Sequence, residues 1–178
     1  MIFIKDFMKD NLPTIYCDMD GVLCDFITQA QRATGMPIAK WMKEPKTVYK
    51  SIRDKWKPIK NYPNFWDTMP WTRDGKALWQ KILPFQPHIL SAYVDPSTDP
   101  SCIAGKTKWA MRYLSVPNSR LHLVKRIEKQ LYAKTAGRPN LLIDDFKRNV
   151  DQWKSKGGIA IFHTSTSNTI RQLQRLGY

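Results

Sequence analysis

The chain has 178 residues, of which 29 are Lys or Arg and 15 are Asp or Glu, so its formal net charge is +14. The length favours one domain, and a hydrophobic content of 42% supplies enough apolar side chains for a packed core, which excludes a wholly disordered chain. The sequence contains no run of about 18 apolar residues, so we expect no membrane-spanning helix. The positive charge favours an anionic partner, such as a nucleotide or a nucleic acid.

The N-terminal segment and the cysteines indicate a cellular location. Charged side chains interrupt the first 13 residues, which therefore lack the continuous apolar stretch of a signal peptide. The three cysteines are odd in number and have no metal-ligand spacing, which is typical of a reducing compartment. We therefore expect a cytoplasmic protein.

Short apolar runs, which predict strands, alternate along the chain with amphipathic segments, which predict helices. The predicted strands span residues 14–17, 88–91, 121–124, 140–144 and 159–162. The predicted helices span residues 25–34, 104–114, 127–136, 147–156 and 168–176. This alternation predicts an α/β fold with a mostly parallel, buried sheet flanked by helices.

One stretch, from residue 36 to about residue 69, contains no good strand. It is rich in aromatic residues, prolines and lysines. Loops of this length without secondary structure are uncommon in compact domains, and those that occur are often functional. We interpret the stretch as a small, mainly helical insertion after the first strand.

Acidic and hydroxyl side chains follow three of the predicted strands. Asp18 and Asp20 follow the first strand, Ser91 ends the second, and Asp144 and Asp145 end the fourth. Ligands of open α/β sheets bind beyond the carboxyl ends of the strands, so we expect these side chains to meet at one edge. Clustered carboxylates repel one another unless a cation neutralises them, and oxygen ligands suit Mg²⁺. The sequence therefore predicts a Mg²⁺ site.

The spacing of the first two aspartates fits a two-step group transfer. Asp18 and Asp20 point to the same side if the strand continues through them. One carboxylate can then act as a nucleophile while the other transfers a proton. Gly21 would let the chain turn sharply beside a ligand.

These segments resemble the motifs of the haloacid dehalogenase (HAD) superfamily of phosphohydrolases. Residues 16–26, with the sequence YCDMDGVLCDF, resemble the first motif, and Ser91 resembles the second. Residues 141–145, LLIDD, resemble the fourth motif. The third motif is a single lysine, for which Lys129 is our choice. Lys125 and Lys134 remain alternatives.

Further segments are most similar to the 5′(3′)-deoxyribonucleotidases and their small phage-encoded relatives. These are the Asp-Phe pair at 25–26, the Asn-Phe-Trp segment at 64–66, and Lys106 three residues before Trp109. The resemblance implies a Rossmann-like HAD core, formed by residues 1–30 and 71–178, with a small helical cap at 31–70. It also implies the cytoplasm of a bacterial or phage-infected cell.

The resemblance implies roles for the residues at the strand ends. Asp18 would be the nucleophile and a Mg²⁺ ligand, and Asp20 would be the general acid and base, with its backbone carbonyl on Mg²⁺. Ser91 and the backbone N–H of Ala92 would hold the phosphate, and Lys106 is a further phosphate-binding candidate. One side-chain donor is missing here, because relatives often have Thr-Ser where this chain has Ser91 and Ala92.

The same resemblance assigns the remaining site residues. Lys129 would neutralise the phosphate and the nucleophile. Asp145 would complete the metal site, with Asp144 in support. Three aromatic residues are candidates for stacking on a base, namely Phe26, Phe65 and Trp66.

The implied function is a Mg²⁺-dependent phosphomonoesterase that removes phosphate from nucleoside monophosphates, in particular deoxynucleotides, through an aspartyl-phosphate. The net charge keeps two alternatives open. One is a phosphatase that acts on nucleic-acid ends, and the other is a non-catalytic module that binds nucleic acid or a host protein. The sequence leaves the oligomeric state, monomer or dimer, open.

Overall fold

The computed structural model describes residues 12–43 and 48–178. In chain order the strands are β1 (Ile15–Cys17), β2 (His88–Ala92), β3 (Leu121–Val124), β4 (Lys134–Thr135), β5 (Arg138–Pro139), β6 (Leu141–Asp144) and β7 (Ile159–Phe162). Five of them form one parallel sheet in the order β3-β2-β1-β6-β7, and β4 pairs with β5 in a short antiparallel hairpin. The structure thus confirms the predicted α/β class.

Helices connect the strands. The α-helices of the described residues are α1 (Phe26–Thr34), α2 (Ile38–Lys43), α3 (Ile52–Asn61), α4 (Gly75–Ile82), α5 (Cys102–Leu114), α6 (Lys147–Ser155) and α7 (Thr166–Arg175). Short 3₁₀ helices span Leu83–Phe85, Asn118–Arg120 and Arg126–Tyr132. Within the described part of the chain, no helix is long and apolar enough to cross a membrane.

The order of the strands decides where a ligand can bind. β1 is central, with Cys17 opposite Ile89 of β2 on one side and Ile143 of β6 on the other. The chain builds β1, β2 and β3 outward in one direction and then returns to add β6 and β7 on the other side of β1. Such a reversal opens a crevice at the carboxyl ends of the strands. The ends of β1, β2 and β6 meet there.

Both faces of the sheet are covered, because the strands carry apolar side chains on both faces. Side chains alternate between the faces, so Ile15 and Cys17 belong to one buried cluster and Tyr16 belongs to the other. Trp109 is fully buried in the first cluster and Trp153 in the second. Burial of these large rings against the sheet supplies much of the hydrophobic stabilisation.

The inserted stretch packs on the core. Helices α2 and α3 lie within it, and residues 44–47 between them fall outside the described residues. Trp41, Ile59 and Trp66 from this stretch are buried in the same cluster as Ile15 of the central strand. The helical character of the stretch therefore agrees with the interpretation from sequence, while its boundaries at 31–70 stay a prediction. We call residues 31–70 the cap.

The predicted helix at 127–136 is wrong. Its first part is the 3₁₀ helix Arg126–Tyr132, and the rest forms the β4–β5 hairpin. Ala136 and Gly137 have φ angles of 48° and 79°, so the chain turns in the left-handed region where a helix cannot continue. The side chain of Asn140 stabilises this path by donating to Tyr132 O at 2.8 Å and to Thr135 Oγ1 at 2.9 Å.

Candidate active site

Asp18 lies directly beyond the end of β1. Its backbone N–H donates to Ile143 O at 2.9 Å, which continues the pairing with β6 for one more residue. One carboxylate oxygen accepts the backbone N–H of Met19 at 2.8 Å, and the other lies 2.8 Å from Lys129 Nζ. The side chain is therefore buried and oriented, with a positive charge beside it.

Lys129 bridges two carboxylates. Its Nζ lies 2.8 Å from Asp18 Oδ2 and 2.8 Å from Asp144 Oδ2, and the lysine is buried. Burial by itself would lower the pKa of Lys129, but the two carboxylates outweigh it and hold the pKa above the ordinary lysine value. Of the three lysines considered from sequence, Lys125 and Lys134 are exposed, so the structure places only Lys129 at Asp18.

Asp144 is buried at the end of β6 and is fully engaged by the protein. Besides Lys129, its oxygens accept the Asn149 side-chain amide at 3.0 and 3.1 Å and the backbone N–H of Phe146 at 2.8 Å. A carboxylate with this many donors is a rigid support for its neighbours. The supporting role that the resemblance implies for Asp144 stays a prediction.

Asp20 has a lysine of its own. Lys106 Nζ, on α5, lies 2.6 Å from Asp20 Oδ2 and donates to Ser91 Oγ at 3.0 Å and to Ala92 O at 2.7 Å. Lys106 has no exposed surface. Burial would lower its pKa, but the Asp20 carboxylate outweighs this effect, and the pKa lies above the ordinary lysine value. The ends of β1 and β2 are thereby joined through one ammonium group.

A group of acidic oxygens remains at the same edge of the sheet. Asp18, Asp144 and Asp145 each offer an oxygen within 4.8 Å of the others. Desolvation and the nearby charges of Asp18 and Asp144 raise the pKa of Asp145 to about 7. Lys129 offsets one negative charge of the three carboxylates, and a set of hard oxygen donors with negative charge remaining fits Mg²⁺.

Gly21 makes room for the Asp145 carboxylate. Its φ is +75°, and a Cβ at this position would lie 2.0 Å from Asp145 Oδ2. Only glycine combines this backbone conformation with so close an approach. The turn predicted at Gly21 thus brings the loop after β1 against the loop after β6.

A cleft of about 500 Å³ opens between the cap and the ends of β1 and β2. Asp20 and Ala92 line its core side, and Phe26, Trp56 and Trp66 line its aromatic side. The ring planes of Trp56 and Trp66 are 18° apart with centroids at 6.4 Å, and Phe26 and Trp66 are 24° apart at 5.9 Å. The cleft therefore joins a polar end at Asp20 to an aromatic wall.

The three aromatic residues proposed from sequence take different positions. Phe26 and Trp66 line the cleft, although Trp66 is only 2% exposed. Phe65 is 3% exposed, packs edge-on against Trp66 at a centroid distance of 4.8 Å and lines a neighbouring cavity of about 260 Å³. Phe65 thus supports the ring of Trp66 and does not line the cleft.

Sequence reasoning missed two residues around the site. Asn149 orients Asp144. Asp99, which is 1% exposed, accepts the indole N–H of Trp66 at 2.8 Å. The one available signal for Asn149 was its place in the first turn of a helix that begins just after the Asp144-Asp145 pair.

No protein-family model and no curated protein sequence matches the chain. Among solved structures, a hydrolase from Pseudomonas syringae is similar with a TM-score of 0.51 and 16% identity, over 92% of this chain and 90% of that chain. A hydrolase from Streptococcus pneumoniae has a TM-score of 0.47 and 13% identity, over 92% of this chain and 98% of that chain. The L-2-haloacid dehalogenase from Xanthobacter autotrophicus has a TM-score of 0.48 and 13% identity, over 94% of this chain and 84% of that chain. The first of these similarities supports the Rossmann-like fold predicted from sequence.

Proposed function

We propose that the chain is a Mg²⁺-dependent phosphomonoesterase of the HAD superfamily that acts on nucleoside monophosphates, in particular deoxynucleotides. The observation that carries this proposal is the pairing of Asp18 with Lys129 and of Asp20 with Lys106 at neighbouring strand ends. Two carboxylates with separate environments suit two different chemical roles. The aromatic wall of the cleft supports a substrate with a planar base.

The proposed reaction has two steps. A carboxylate oxygen of Asp18 forms a bond to phosphorus while the bond to the nucleoside oxygen breaks, and Asp20 gives that oxygen its proton. Asp20 then takes a proton from water, whose oxygen attacks phosphorus, releases inorganic phosphate and restores the Asp18 carboxylate. In both steps Lys129 supplies a positive charge to the phosphoryl group, and Ser91 supplies a hydroxyl donor.

The metal would be held by Asp18, Asp145 and the backbone carbonyl of Asp20, with Asp144 behind them. When bound, Mg²⁺ supplies positive charge that offsets the negative charge of the phosphoryl oxygens. The protein side of this arrangement is the set of converging oxygens and the space that Gly21 leaves for Asp145.

The first test removes the nucleophile. Asp18→Asn keeps the size of the side chain but removes its negative charge, so we expect turnover to fall by about 10³-fold or more while the protein stays folded. Phosphate release is measured with Mg²⁺ on 5′- and 3′-nucleotides, sugar phosphates and end-phosphorylated oligonucleotides, and folding is followed by circular dichroism. Asp74→Asn, an exposed aspartate without a side-chain cap bond, is the control and keeps full activity.

Wild-type turnover in folded Asp18→Asn would overturn the assignment of the nucleophile. Absence of Mg²⁺-dependent turnover by the wild-type protein on every substrate would instead favour a non-catalytic binding module.

A second candidate is a phosphatase that acts on nucleic-acid ends. It is favoured by the exposed lysines of the cap, which include Lys40, Lys43, Lys50, Lys57 and Lys60. Lysines spread over a surface bind successive phosphates of a polymer, and such binding weakens steeply with salt. Salt dependence therefore separates this candidate from a mononucleotide phosphatase.

A further inference from the structure

Lys106 uses all its hydrogen-bonding capacity inside the protein. An ammonium group carries three N–H donors. Its Nζ lies at hydrogen-bond distance from three oxygens, which are Asp20 Oδ2 at 2.6 Å, Ser91 Oγ at 3.0 Å and Ala92 O at 2.7 Å. With each donor taken, Lys106 has no N–H left for a phosphate oxygen.

These contacts determine what Asp20 and Ser91 can offer to a substrate. Because Ser91 Oγ accepts from Lys106, the hydroxyl proton is left to donate elsewhere. Asp20 Oδ2 is held by Lys106, whereas the neighbour of Oδ1 is the Cys24 thiol at 3.5 Å, a weak donor. Oδ1 is therefore the Asp20 oxygen that can exchange a proton with a ligand.

The position of Lys106 is built by helix packing. A Cβ on the adjacent Gly105 would lie 2.5 Å from Trp66 Cβ, so only glycine lets α5 come this close to the cap. Trp66 in turn places its ring 5.3 Å from Lys106 Nζ, and its indole N–H is anchored on Asp99. The ammonium group is thus enclosed between the cleft wall and the ends of two strands.

We propose that Lys106 is a positioning residue, which holds Asp20 in the orientation for proton transfer before the substrate arrives and does not itself bind the phosphate. Its contacts with Ser91 Oγ and Ala92 O anchor the ammonium group at Asp20. This inference rests on the proposed function, because it assigns the proton transfer to Asp20 and the phosphate contact to Ser91. It replaces the phosphate-binding role expected for Lys106 from sequence. Preorganised groups of this kind lower the barrier because they need no rearrangement during reaction.

The test compares two substrates that differ in their need for a proton donor. In Lys106→Met, kcat/KM for a nucleoside monophosphate falls by about 100-fold, because displacement of Asp20 impairs protonation of a poor leaving group. For p-nitrophenyl phosphate, whose leaving group is stable as an anion, kcat/KM falls by about 10-fold or less. The Kd of inorganic phosphate, measured by calorimetry, stays within about three-fold. Lys108→Met, on the same helix but exposed, changes none of these values.

A double-mutant cycle covers the case in which Lys106→Met alone does not fold. Asp20→Asn combined with Lys106→Met removes both charges of the buried pair, so no uncompensated charge remains. In the Asp20→Asn background, Lys106→Met changes nucleotide kcat/KM by less than about three-fold, because Lys106 acts through Asp20.

Three results would each overturn the inference and make Lys106 a phosphate ligand. They are equal losses of kcat/KM with both substrates, a phosphate Kd raised about ten-fold or more, and losses of kcat/KM that multiply in the double-mutant cycle. The Asp18→Asn result is independent of all three. If Asp18→Asn is inactive and the cycle is additive, the positioning role fails while the proposed function stands.

Discussion

Gly21 is the residue on which the acidic cluster depends most directly. Its positive φ and its contact with Asp145 are separate constraints, and both would be violated by a Cβ. In Gly21→Ala, Asp145 must move, so we expect the Mg²⁺ concentration for half-maximal activity to rise by about 10-fold or more. Activity is measured against Mg²⁺ concentration, and Mg²⁺ binding is measured by calorimetry.

Gly35→Ala is the matched control for this prediction. Gly35 also has a positive φ, +69°, but a Cβ there would meet nothing within 4 Å. The control therefore carries the same backbone strain without a steric clash. An unchanged Mg²⁺ dependence in Gly21→Ala, or an equal change in Gly35→Ala, would contradict the proposed function of the contact with Asp145.

The site residues that lie at or directly after the carboxyl ends of strands could be predicted from sequence. Asp18, Ser91 and Asp144 were found because an apolar strand run locates its own carboxyl end. The partners of Lys106 could not be found in this way, because they depend on the rotation of α5 and on its approach to Trp66. Asn149 was missed for the same reason, since its contact depends on how α6 is oriented at Asp144.

At the scale of elements, buried periodic segments were predicted well and the 127–136 segment was not. The predicted strands at 121–124 and 159–162 coincide with β3 and β7, because short apolar runs between turns leave few other solutions. Residues 127–136 contain helix-forming residues, but Asn140 and the Ala136-Gly137 turn fix a hairpin through contacts outside the segment. Local helix propensity was overridden there by the turn and by hydrogen bonds from Asn140, which lies just beyond the segment.

His88 and His122 join β2 to β3 in a pH-dependent way. His88 Nδ1 lies 2.8 Å from His122 Nε2, so the two rings share one proton in that contact. Desolvation, His122 and Arg120 lower the pKa of His88 to about 4 from an ordinary 6.5, and Tyr16 packs against its ring. Between pH 6.5 and 4, His88 therefore binds a proton more readily in the unfolded chain than in the folded protein. The free energy of unfolding consequently falls as the pH falls through this range.

We expect this pair to cost the protein about 1–2 kcal/mol of stability on acidification across that range, allowing for partial solvent screening. Urea unfolding at a series of pH values measures the slope for the wild-type protein and for His88→Gln. The variant should show a flatter dependence below pH 6.5, because Asp145 and the other acids titrate equally in both proteins. If the free energy of unfolding changes equally with pH in both proteins, the histidine pair is not the source of the pH dependence.

At the scale of the whole molecule, the net positive charge is concentrated in two segments of the chain. Residues 36–76 contain ten Lys and Arg against four Asp and Glu, and residues 120–156 contain the same numbers. The first segment includes most of the cap and the second includes Lys129 and the Asp144-Asp145 pair. Positive surfaces that flank a carboxylate site attract a phosphate electrostatically before the local contacts form.

This distribution leads to a prediction for salt dependence. A mononucleotide brings one phosphate group, so its kcat/KM should fall by a factor of only about 2 to 5 between about 50 and 200 mM salt. An end-phosphorylated oligonucleotide that contacts Z phosphates along the cap should lose about 0.7Z decades per decade of salt. The two substrates are compared in the same buffer series.

Two double variants, each without two positive charges, test which part of the surface attracts the substrate. Lys57→Gln with Lys60→Gln removes two exposed positive charges from α3 of the cap, and Arg171→Gln with Arg175→Gln removes two from α7, outside both basic segments. Since the net charge changes equally, only position distinguishes the two variants. We expect the cap variant to lower kcat/KM at low salt and the α7 variant to leave it close to the wild-type value, because screened charges act over about 10 Å at 0.1 M salt. Equal effects of the two variants on kcat/KM would mean that net charge alone attracts the substrate. In the salt series, a steep fall of kcat/KM with salt for the oligonucleotide alone would change the proposed substrate from a mononucleotide to a nucleic-acid end.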